Sequence, residues 1–142
     1  MDKYELRVKI NRAQNEIGEL QYDIQKLYDR MTQYETEKSK ADNLVSETED
    51  YCTRKQNRIK SLEGVKGRAN NTMLAKLSEQ FTYQSMKVII DGYDFIADCI
   101  QNNIRIAEDK IEDAKARIRQ LELNIYNWEN EIRNMKIMEG EK

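Results

Sequence analysis

From Leu6 to Leu62 the chain repeats one pattern without a break. Core-type positions fall at Leu6, Ile10, Ala13, Ile17, Leu20, Ile24, Leu27, Met31 and Tyr34, then at Lys38, Ala41, Val45, Thr48, Cys52, Lys55, Ile59 and Leu62. The spacings alternate between four and three, which is a heptad repeat with Ile10 at an a position. A helix on a globular core has a period near 3.6 and a wider apolar stripe, so a phase held this long predicts a supercoiled seam with another helix. Proline, the residue helices tolerate worst, is absent from all 142 positions. Five glycines cannot supply the turns that a sandwich or barrel needs.

The second half carries a seam of its own. Ile90, Tyr93, Ala97, Ile100, Ile104, Ala107 and Ile111 lead into Ala114, Ile118, Leu121, Ile125, Trp128, Ile132 and Met135. Between the halves lies Gly64-Val65-Lys66-Gly67-Arg68-Ala69-Asn70-Asn71-Thr72, with two glycines suited to a helix end and Asn71 or Thr72 as the next cap. The expected fold is all-α: one domain over 1–142, a long antiparallel two-helix coiled-coil hairpin. Helix 1 is expected over about 3–63, the turn over 64–71 and helix 2 over about 72–138. In the resulting register Ile17 meets Ile118, Ile10 meets Ile125, and Leu6 falls near Trp128 and Ile132.

The seam is uneven in its middle. Lys38, Thr48 and Lys55 put polar groups at core positions. The facing stretch has the opposite anomaly: Phe81, Met86, Val88, Ile89, Ile90, Tyr93, Phe95, Ile96 and Ile100 exceed what one narrow stripe can hold. Leu74, Leu77 and Phe81 follow one phase and Ile90 onward another. The phase therefore slips between Phe81 and Ile90, and the sequence allows either a bend or a break near Gly92. Either the hairpin bends and wraps this surplus itself, or another protein covers a face too wide for two helices to bury. Phe81, Met86, Ile89, Tyr93, Phe95 and Ile96, with Leu44 and Tyr51 opposite, are the expected contact for another helical protein or a second copy.

Chemistry is excluded more firmly than partners are named. Without histidine there is no imidazole base and no His metal ligand. Gly64-Val65-Lys66-Gly67 lacks the spacing and the Lys-Ser/Thr of a phosphate loop. Carboxylates such as Glu108, Asp109, Glu112 and Asp113 alternate with Lys110, Lys115 and Arg117, as a solvated helix surface does. The expectation is a non-enzyme with no metal and no cofactor. Cys52 and Cys99 are expected as half-buried free thiols on helix faces. Each half carries 12 basic and 13 acidic side chains, divided at Glu63, so no basic stripe points to nucleic acid. No apolar run approaches the roughly 18 residues of a membrane span, and MDKYELRVKI has no apolar signal core. The expected location is the cytoplasm, or outside the cell by a route that reads no cleaved signal peptide.

A helical hairpin with Leu62-Glu63-Gly64 at its turn, where a Trp-x-Gly motif would stand, resembles the small WxG-type proteins of type VII secretion. The stretch from Ile111-Glu112 to Glu131-Ile132, with Ile118 and Leu121-Glu122, is similar to the Ile/Leu-Glu closing helix of their longer YwqH-like relatives, which accompany LXG-type toxins. Leucine replaces the turn tryptophan, and Tyr126 is followed four positions later by Asn130, where the pathway's export signal has Asp or Glu. Leu62 and Gly64 are the turn-motif positions on this reading. The resemblance implies a bacterial accessory or targeting protein that docks on the helical N-terminal region of a toxin, or on a sibling small helical protein. The alternative is a cytoplasmic coiled-coil scaffold or oligomerisation module unrelated to secretion.

Overall fold

The computed structural model describes residues 1–62, 67–80 and 83–140. Three helices account for nearly all of them: α1 (Lys3–Leu62), α2 (Arg68–Gln80) and α3 (Tyr83–Gly140). Among the described residues there is no strand. The two long helices, α1 and α3, pack together.

The seam that the heptad count defines is where burial occurs. On α1 the buried apolar side chains are Leu6, Ile10, Ala13, Ala41, Cys52 and Ile59; on α3 they are Ile90, Ala97, Ile104, Ala107, Ile111 and Leu121. Every one is a heptad position, and the remaining α3 seam residues are half-buried. On α1 only Leu62, the last residue of the repeat, is exposed. Small residues recur in this core, at Ala13, Ala41, Ala97 and Ala107.

Contacts fall into two compact units. The first holds Met1–Thr32 and Arg105–Lys142. Here Lys3 pairs with Glu139, Lys9 lies 5.8 Å over the Trp128 ring, and Arg117 donates to both Glu16 carboxylate oxygens at 2.9 and 3.3 Å. Lys115 sits 5.8 Å over the Tyr28 ring. Its pKa is held above the ordinary lysine value, first by hydrogen bonding to Tyr28 and further by the nearby Glu112 carboxylate. These pairs lie on exposed flanks, where ion pairs add little stability, so the apolar seam carries the packing. At the start of α1, Asp2 Oδ1 accepts the Glu5 N–H at 2.8 Å while Glu5 Oε2 accepts the Asp2 N–H at 3.1 Å. This reciprocal capping satisfies donors that a helix start leaves open.

The second unit holds Gln33–Ile104. Its polar seam residues all have partners. Lys38 Nζ donates to Gln101 Oε1 at 2.9 Å, Thr48 Oγ1 donates to the Leu44 carbonyl at 2.7 Å, and Lys55 lies 5.4 Å over the Tyr51 ring. Among the described residues no buried side-chain polar atom lacks a partner.

Two boundaries differ from the sequence expectation. The helix after the link begins at Arg68 rather than Thr72, because the Asn71 N–H already bonds the Gly67 carbonyl at 3.0 Å. Gly67 accommodates this start with a φ of 155°, a backbone that L side chains rarely adopt. In the second arm α2 is described to Gln80 and α3 from Tyr83, residues 81–82 lie outside the described residues, and Gly92 is no break. Gly92 lies inside α3, where the seam residues Ile90, Tyr93 and Ala97 hold the helix on both sides of it. The helix also runs to Gly140 rather than stopping near 138.

Candidate interaction face

The surface of the second unit is built from residues that the seam leaves out. On α3, Ile90, Tyr93 and Ala97 turn to the seam, and at about 100° per residue Ile89 and Ile96 share the adjoining flank. Ile89 and Ile96 are 47% and 48% exposed. Further round the helix, Val88 and Phe95 are 76% and 69% exposed. On α1, Leu44 and Tyr51 occupy one flank beside Val45, Thr48 and Cys52, and both are about two-fifths exposed.

These exposures sort the expected contact residues. Leu44, Tyr51, Ile89, Phe95 and Ile96 present apolar surface to solvent. Met86 and Tyr93 are half-buried. Met86 and Ile90 of α3 line one groove with Glu49, Cys52, Thr53 and Gln56 of α1, so Met86 belongs partly to the seam. Phe81 and Gly64 lie outside the described residues. Leu62 is exposed and lines a groove of about 270 Å³ with Tyr51, Lys55, Arg58, Ile59 and Leu77.

Two features were not singled out from sequence. Val88 is the most exposed apolar residue described in the stretch, and its seven-residue spacing from Phe95 places the two on one stripe. The groove of Tyr51, Leu62 and Leu77 joins α1 to α2, and no single-helix periodicity reveals it. The thiols also differ from the symmetric expectation: both are free, but Cys52 is buried at the seam and Cys99 is exposed. Cys99 follows Val88, Gly92 and Phe95 at spacings of four, three and four, which puts it on the outer side of α3.

An apolar face of this kind, flanked by Lys55 and Arg58 at the groove, offers van der Waals contact and a few charge-assisted contacts to a helix laid against it. Among the described residues no group of three or more His, Cys, Asp or Glu side chains is placed to hold a metal ion. No described helix is long and apolar enough to cross a membrane. Comparison with known proteins returns no match: no family model fits the chain, and no curated protein or solved structure resembles it.

Proposed function

We propose that this chain is a non-enzymatic helical partner protein, an antiparallel hairpin that docks a helix of another protein on the exposed flank of α3 with Leu44 and Tyr51 beside it. The carrying observation is the exposure of Ile89, Phe95 and Ile96 on a helix whose other side is already buried against α1. A helix that satisfies its seam and still presents bulky apolar residues has surface left to cover.

The antiparallel arrangement is supported by the contacts within the first unit. As the α1 partner advances through Lys3, Lys9 and Glu16, the α3 partner recedes through Glu139, Trp128 and Arg117. The Glu16–Arg117 pair is one residue removed from the expected Ile17–Ile118 level. With the helices antiparallel, the Leu44–Tyr51 flank of α1 and the Ile89–Ile96 flank of α3 fall on the same side of the pair.

The kind of partner follows from the resemblance to type VII accessory proteins: the helical N-terminal region of a secreted toxin, or a sibling small helical protein. Action in the cytoplasm, or after export without a cleaved signal peptide, belongs to the same proposal. The test is co-expression with a neighbouring reading frame that encodes a long protein with a helical N-terminal region, followed by size-exclusion chromatography and mass measurement. A stoichiometric complex that survives chromatography is expected. Separate elution of the two proteins at micromolar concentration would count against the reading.

A further inference from the structure

We infer that the junction of α1 and α2 docks peripherally, end-on, on an anionic lipid surface. The even division of charge at Glu63 cuts through the middle of a basic stretch. Residues 51–78 hold seven Lys and Arg side chains, from Arg54 to Lys76, against Glu63 alone, a net charge of +6. Residues 1–50 carry 8 basic and 12 acidic side chains and residues 79–142 carry 9 and 13, so each flanking stretch is −4. α1 ends at Leu62 and α2 begins at Arg68, and so short a link keeps the two helix ends close. Arg54, Arg58, Lys60 and Lys76 are exposed, and among the described residues none of them makes an ion pair.

The directions of these side chains decide the kind of surface they suit. At about 100° per residue, Lys60 lies about 160° round α1 from Arg58, with buried Ile59 between them. On α2, Lys76 lies about 160° round from buried Leu74 and so faces outward. The charges therefore stand on both flanks of α1 and on the outer side of α2. A helix laid in a groove, or a duplex following a basic stripe, meets one side only. A planar anionic layer approached end-on is in reach of every side. Exposed Leu62 and Met73 stand among these charges, and apolar groups beside basic ones suit the lipid interface. Glu63 lies outside the described residues. Of the described carboxylates on α1, Asp50 is nearest the junction, about 18 Å along the axis from Leu62. That is about two screening lengths at physiological salt, so its repulsion fades while Arg58 and Lys60 lie within about 6 Å of Leu62 along the axis.

The experiment is co-sedimentation of the full chain with vesicles of phosphatidylserine and phosphatidylcholine in about equal parts, against vesicles of phosphatidylcholine alone. Binding to the anionic vesicles only is expected, and it should fall as salt is raised. Each basic residue at such a surface is worth about fivefold in partition, so Arg58→Gln, Lys60→Gln and Arg68→Gln together should weaken binding about a hundredfold. The single Lys60→Gln should lose about fivefold. A control with Arg7, Arg12 and Arg30 replaced by Gln changes net charge equally and should bind as wild type does. Circular dichroism of each variant, unchanged from wild type, shows that the helices are intact. No binding to the anionic vesicles at low salt, equal binding to both kinds of vesicle, or equal loss in the control would overturn the inference. Tighter binding to poly-glutamate or duplex DNA than to the vesicles would overturn it as well, and would assign the junction to a soluble polyanion. None of these results touches the helical docking proposal, which is read separately from complex formation with the co-expressed protein.

Discussion

Single residues in this chain separate what a helix tolerates from what it requires. Gly92 and Gly67 make the contrast. Gly92 lies within α3, and a Cβ built there meets no atom within 4 Å. Replacing it with alanine removes the entropic penalty of glycine, so Gly92→Ala should raise unfolding stability by about 1 kcal/mol. Gly67 has a φ of 155°, so Gly67→Ala should lower stability by roughly 1–2 kcal/mol through backbone strain. Urea titration of the two variants side by side would show opposite displacements of the midpoint. Thr48 supplies a third case. Its hydroxyl returns to the Leu44 carbonyl and satisfies itself locally at a seam position. Because the hydroxyl makes no bond across the seam, Thr48→Val should stabilise by about 0.5–1 kcal/mol through added apolar contact. A fall in thermal midpoint would show that the hydroxyl does more than satisfy itself.

At the scale of the element, helix ends and phase decide the boundaries. The Asp2–Glu5 reciprocal cap begins α1, and Asp2→Ala should cost about 1 kcal/mol. The loss should appear as faster amide hydrogen exchange confined to the first turns. The seam itself was legible from sequence, because a heptad with Ile10, Ala41, Ile90 and Ile111 at regular positions leaves few other ways to bury them. Whether Gly92 breaks the helix was not legible, since glycine attracts attention as a breaker while a long helix anchored at Ile90, Tyr93 and Ala97 absorbs one glycine for about 1 kcal/mol. Of the contact residues, Ile89, Phe95 and Ile96 could be read as exposed from their offset to the seam. Met86 and Tyr93 could not, because a residue at the border of a stripe turns inward or outward according to its neighbours across the interface.

At the scale of the whole molecule, α1 and α3 bury their heptad positions against each other, and the second unit presents apolar residues besides. The hairpin is tested by Ile17→Cys with Ile118→Cys in a chain whose Cys52 and Cys99 are replaced by alanine. Mild oxidation should give a disulfide within one chain, and a product linking only separate chains would contradict the antiparallel register. The most direct measurement for the central claim is the double variant Ile89→Asp with Phe95→Asp, followed by circular dichroism during heating and by its association in solution. If the face is a docking surface, helix content and thermal midpoint should stay near wild type while association is lost, because both side chains stand clear of the seam. A variant that loses its helical signal would show these residues to be core, and one that associates as before would place the interface elsewhere.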